Sequence, residues 1–467
     1  MNKVYYLIHK RNLRKIKADI NNILYLDERI DVDKDEYLLD YSKESDGKNK
    51  IRVCYNIDYV QKWAFTKYGG KSFAEELIYD DYSLWYPLEF FFISADIGQL
   101  SYELSISGIT YYLDIIINFI NAKRPSKIVI EDDKSQINKL IIKVCIKHKI
   151  LYDILNIKSE NKSILWKISN NSIVTRNYIK TRIFLRKIIG RILCKKFKKS
   201  DIIILTSDRM TNRNNVTDQY WGPIVKELDN KKLNYKIIEY DRVETLSSLV
   251  NIKKRYLPQK FDAQFIGTYY EKSTDEERGE IIVFLREKFK KLIKEDYFKE
   301  SFSYKGINYY DVLYPRLKKI FLTYSYYVAD VYSICKTIVE KENPKIILID
   351  HEKNYYGRAL ITEANFNNIS SIGFEAEFIY DDNIYITQIP IRGITNQKST
   401  LWKPIPTLKL LNGEYSREWY IKKNYVPSKN LKVIGLSKFD YLKELKHEKS
   451  VIRKKETVIT VITCDYP

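Results

Sequence analysis

Short runs of Ile, Val and Leu recur along this chain, each closing on a polar or acidic residue, and several lead into apolar positions at helical spacing. Ile128-Val-Ile-Glu131 leads into a helical pattern over residues 135–148, and Ile202-Ile-Ile-Leu205 runs to Ser207-Asp208 before another over 221–228. Lys236-Ile-Ile-Glu239, Ile346-Ile-Leu-Ile-Asp350 before residues 355–365, Val433-Ile434 and residues 458–463 repeat the theme. Unbroken apolar strands alternating with amphipathic helices are what a parallel sheet requires when helices cover both of its faces. The pattern therefore predicts an α/β fold of Rossmann-like, doubly wound parallel sheets. Residues 275–342, rich in Lys, Glu and aromatic side chains, read as packing helices.

Two of these units match at a constant offset: Pro125-Ser-Lys-Ile-Val-Ile-Glu131-Asp-Asp133 and Pro344-Lys-Ile-Ile-Leu-Ile-Asp350-His-Glu352. Two readings fit. Both units place acids at the carboxyl end of a strand, where open α/β sheets bind ligands. Equally, such acids cap the helix that follows, as they do in any doubly wound fold.

Residues 176–199 carry ten Lys/Arg, from Arg176 to Lys199, and no acid, with Ile179, Ile183, Ile189, Leu193 and Phe197 spaced for one helical face. A basic amphipathic helix of this kind can lie on an anionic membrane surface. It can also be a connecting helix docked through its apolar stripe with a solvated basic face.

Composition narrows the classes. At roughly 100 to 200 residues per domain, 467 residues imply about two to four domains. The net charge of +20 favours an anionic partner. Abundant Lys, Ile, Asn and Tyr share A/T-rich codons, which discounts part of that argument. Nucleic acid is disfavoured, because the 40 Tyr are spread along the chain and no RRM, KH or helix-turn-helix signature occurs. The five cysteines (Cys54, Cys145, Cys194, Cys335, Cys464) are isolated, which fits a reducing cytoplasm. With no CxxC spacing and four scattered histidines, no local zinc site and no cofactor are expected. The N-terminus lacks a secretory pattern, and the most apolar stretch, residues 83–122, is broken by Glu89, Asp96, Glu103 and Asp114. A cytoplasmic protein, or one peripheral at the inner face of the membrane, is expected.

No GxSxG elbow, Walker A sequence or GxGxxG after a strand is present. What remains is an ordered series from Asp350 to Asp440. Asp350-His-Glu352 and Tyr356-Gly357-Arg358 are followed by Ser371-Ile-Gly373-Phe-Glu375-Ala-Glu377. Then come Pro404 and Pro406, Leu411-Asn-Gly413-Glu414-Tyr415, and Leu431-Lys-Val-Ile-Gly435-Leu-Ser-Lys438-Phe-Asp440. That order resembles the GT-B glycosyltransferases of surface and capsular polysaccharide synthesis, and their relatives among sugar-nucleotide 2-epimerases and glycerol-phosphate polymerases. The resemblance covers residues 346–467, and more loosely 125–148.

The resemblance implies transfer of a sugar from a nucleotide-sugar donor to a hydroxyl of a glycan or lipid-linked acceptor, without a metal. It implies a base at Asp350 or Glu352, or at Asp133 if the first unit faces the cleft. Glu375 would hold acceptor hydroxyls, Lys438 and the Gly435 turn would hold phosphates, and Arg358, Glu377 and Asp440 would complete the substrate contacts. Where the family has Gln-His-Gly, this chain has Glu375-Ala376-Glu377, and Lys438 replaces an Arg, losing its bidentate fork. The expected division is an N-terminal α/β region (1–175), a basic connecting helix (176–200), an acceptor-side domain (201–395) and a partial donor-side domain (396–467) that stops after an early strand. The alternative is a non-enzymatic membrane-surface scaffold or degenerate transferase partner.

Overall fold

The computed structural model describes residues 3–8, 12, 22–26, 38, 57–93, 104–132, 134–157, 171–193, 199–207, 221–240, 263–350, 352, 354–375, 404–424 and 426–435. In the first half, strands β1 (Val4–Ile8) and β2 (Ile23–Tyr25) precede helices α1 (Ile57–Phe65), α2 (Trp85–Ile93) and α3 (Ile106–Lys123). Strand β3 (Lys127–Ile130), helix α4 (Gln136–His148) and strand β4 (Leu151–Ile154) complete an all-parallel sheet of order β2-β1-β3-β4. Helix α5 (Ser172–Leu193) leads to the second half.

There, β5 (Ile202–Ser207), α6 (Gly222–Asn230), β6 (Tyr235–Tyr240) and β7 (Ala263–Phe265) are followed by α7 (Lys272–Leu292), α8 (Tyr310–Lys319) and α9 (Ser325–Glu342). Strand β8 (Ile346–Ile349), α10 (Tyr355–Phe366), β9 (Ser370–Phe374), β10 (Leu408–Leu411), α11 (Glu414–Asn424) and β11 (Leu431–Val433) complete it. The seven strands are parallel in the order β7-β6-β5-β8-β9-β10-β11. Counted by entry this is 3-2-1-4-5-6-7, the Rossmann-like order, with its topological switch between β5 and β8. The α/β parallel-sheet class expected from the apolar runs is what forms. β10 and β11, beyond residue 395 in the expected division, pair onto β9 and extend the sheet of the preceding segment.

Alternation explains why the β5 and β8 runs are continuously apolar. Ile203, Leu205, Ile347 and Ile349 face a large core shared with helices of both halves, while Ile204, Leu348 and Ile237 face a second cluster around Trp221 and Val225.

The matched units extend into a structural repeat. The offset of 219 positions (131 to 350) carries α3 onto α9, both 18 residues long, and the starts of β3, α4 and β4 onto those of β8, α10 and β9. The caps follow suit. Arg124 and Asn343 end α3 and α9 in the left-handed region, at φ 48° and 46°, each donating its amide to the carbonyl four residues back at 2.8 Å. Lys149 and Asn368 repeat the left-handed turn after α4 and α10. Ser135 and Asn354 cap α4 and α10 through their side chains. Register is kept too: Lys127 pairs with Leu151 as Ile346 pairs with Ser370.

A buried ion pair joins the halves. Arg358 on α10 donates to Glu89 on α2 at 2.6 Å and to the Tyr86 carbonyl, and Gln61 donates to the other Glu89 oxygen at 2.7 Å. No helix among the described residues is long and apolar enough to cross a membrane.

Candidate functional site

Because all seven strands are parallel, their carboxyl ends share one edge, and register sets which residues meet there. Leu205 pairs with Ile349, and Ile349 with Gly373, which pairs with Lys409. One step on, Thr206 and Asp350 flank the switch between β5 and β8. The Thr206 hydroxyl donates to Asp350 Oδ2 at 2.8 Å, and Trp221 Nε1 approaches the same oxygen at 3.4 Å. Asp350 is 2% exposed, and its Oδ1 has no hydrogen-bond partner among the described residues. One oxygen is thus held by the protein and the other is open to a further donor.

Glu352 follows, buried beside Gly373 and ion-paired with Lys409. The Lys409 ammonium stands 4.5 Å over the Tyr420 ring, so its charge is compensated on two sides. Glu375, at the end of β9, accepts the Asn412 amide at 2.8 Å and a hydrogen bond from Ser416. Burial raises its carboxyl above the ordinary carboxylate range, against the lowering effect of the Asn412 amide and the Lys409 charge, and its Oε1 has no partner among the described residues. Gly435 ends the row at φ 83°, with its amide donated to the Leu411 carbonyl at 3.2 Å.

The structure thus brings Asp350, Glu352, Glu375 and Gly435 to one edge. Arg358 lies elsewhere, buried against α2, because it falls on the face of α10 turned to the other half. Asp133, Glu377, Lys438 and Asp440 lie outside the described residues. Thr206, Trp221, Lys409 and Ser416 had no sequence signal. Lys409 alternates with leucines in Leu-Lys-Leu-Leu, a pattern that reads as a solvent-facing lysine on a half-exposed strand.

The repeat gives the first half a counterpart. Glu131, equivalent to Asp350, is buried at the end of β3 beside β1 and accepts Asn12 Nδ2 at 2.8 Å. Ile8 occupies the level of Thr206, so the hydroxyl partner is absent from that position. No group of three or more potential metal ligands occurs among the described residues.

Partly held carboxylates at a switch point suit a ligand rich in hydroxyls, since each open oxygen accepts an O–H and a raised carboxyl exchanges a proton readily. No family model, curated protein or solved structure matches the chain.

Proposed function

We propose that the chain is a glycosyltransferase-like enzyme that binds a nucleotide-activated sugar at the β5/β8 switch and transfers the sugar to an acceptor hydroxyl. The observation that carries this reading is Asp350, with Oδ2 held by Thr206 and Oδ1 open at the place where Rossmann-like sheets bind ligands.

In this reading Asp350 Oδ1 takes the proton of the acceptor hydroxyl as its oxygen attacks the sugar carbon. The bond to the nucleotide phosphate breaks, and the leaving phosphate carries off the electron pair. Glu375 Oε1 holds a further hydroxyl. The Glu352–Lys409 pair fixes β8 to β10 and keeps the acids in register. The Gly435 amide is already bonded to Leu411, so phosphate contacts fall to other groups.

The test is release of nucleoside diphosphate from a panel of nucleotide sugars in the presence of glycan acceptors. Asp350→Asn should lower turnover by about 10²–10⁴-fold, the usual contribution of a positioned base. A non-enzymatic scaffold would give no nucleotide-dependent signal at all.

A further inference from the structure

Among the described residues, helix α5 is docked through one face. Ile179, Ile183 and Ile189 are buried, and Gly190 lies so close to Gly267 that a Cβ on it would stand 1.9 Å from the Gly267 carbonyl oxygen. The buried Arg186 pairs with Asp330 at 3.0 Å, and Asp330 also accepts Arg278 at 3.2 Å and the Tyr270 hydroxyl at 2.7 Å. These contacts fix the rotation of α5 about its own axis.

The face turned to solvent is largely apolar, with Asn177 and Thr181 also on it. Ile173, Val174, Tyr178, Phe184, Ile188 and Ile192 are exposed, Phe184 by 60% and Ile192 by 75%. At about 100° per residue they share one arc of about 140°. Arg176, Lys180, Lys187 and Arg191 line its edge by the same count; Lys180 and Arg191 are exposed, while Lys187 is paired with Asp275 on α7. No Asp or Glu occurs from residue 161 to residue 200. A large exposed apolar face marks an interaction site. The exposed basic side chains at its edge decide the partner, because α5 itself carries no acid that a second copy of this face could offer them.

We propose that α5 binds an anionic lipid bilayer, its apolar arc sunk to the acyl boundary and Lys180 and Arg191 on lipid phosphates. This goes beyond the transferase reading and stands or falls independently of it.

The test is co-sedimentation of the full chain with vesicles of phosphatidylcholine alone and of phosphatidylcholine mixed in equal parts with phosphatidylglycerol. Binding should appear with the mixed vesicles, weaken as salt is raised, and be absent with phosphatidylcholine alone. Phe184→Glu with Ile192→Glu should reduce it by about tenfold or more, and so should Lys180→Gln with Arg191→Gln. All four side chains are exposed, so circular dichroism and the melting temperature should match the parent. The proposal is overturned if mixed vesicles do not bind, or if the double glutamate variant binds as the parent does. It is also overturned if sedimentation velocity shows a parent dimer that Phe184→Glu abolishes while lipid binding is absent.

Discussion

Thr206 donates its hydroxyl to Asp350 across the boundary where the strand order of the larger sheet reverses, at 2.8 Å. The two residues are 144 positions apart and meet because β5 and β8 are parallel neighbours in matched register. Thr206→Val keeps the shape but leaves Asp350 Oδ2 with only the longer Trp221 contact. A lost hydrogen bond to a buried charged group costs about 1.5–3 kcal/mol. A lower denaturant midpoint with an unchanged slope is the expected result.

The Glu352–Lys409 pair is predicted to be structural. Removing one partner of a buried pair costs about 3–5 kcal/mol, whereas replacing both with apolar residues of similar size is often neutral. Lys409→Met should therefore destabilise strongly, and Lys409→Met with Glu352→Leu should recover most of the loss. Urea unfolding of the two single variants and the double variant measures the coupling directly.

Arg358 separates the two readings of its place after Gly357. Buried against Glu89, it should act on stability and not on ligand affinity. Arg358→Met is expected to lose about 3–5 kcal/mol. Whatever ligand the wild type binds should bind the folded variant, held below its melting temperature, with the same dissociation constant. A selective loss of affinity at full stability would return Arg358 to the site.

Glu363 on α10 gives a pH dependence of definite sign. Burial pushes its carboxyl up to about 8, with the charges of Glu340, Glu277 and Asp80 adding to the rise and Lys336 opposing it. In the unfolded chain it titrates near the ordinary carboxylate value of about 4.3. Between these values the folded state holds a proton that the unfolded state has released. Its contribution to stability is therefore full below the unfolded value and is lost as pH rises through about 8, on the order of 1 kcal/mol per pH unit. Glu363→Gln should be progressively more stable than wild type as pH rises from 5 to 8. Paired melts across that range would show a flat difference if the assignment is wrong.

Much of the fold was legible because both faces of the strands are buried. Ile128, Ile203 and Ile347 leave no polar alternation to confuse strand with surface, and Glu131 and Asp350 mark where two strands stop. The full repeat was not legible. It is kept by cap conformation and helix length, and Arg124 and Asn343 do the same backbone work with unrelated side chains. In the site, Asp350, Glu352 and Glu375 stood out as acids near strand ends. Thr206 and Lys409 did not, because each lies inside its strand and gains its meaning from a neighbour far away in sequence. Arg358 was misplaced for the converse reason: its sequence neighbours sit near the site, but helical rotation turns its side chain to the other half.

The account rests on the open oxygen of Asp350, and calorimetric titration of nucleoside diphosphate sugars into the wild type and Asp350→Asn, followed by turnover of both with a glycan acceptor, tests it most directly. At least one such sugar should bind the wild type. Asp350→Asn, folded by circular dichroism, should bind it with a similar dissociation constant but, given a glycan acceptor, should release nucleoside diphosphate about 10²–10⁴-fold more slowly. Absence of binding by every member of the panel, or undiminished turnover by Asp350→Asn, would contradict it.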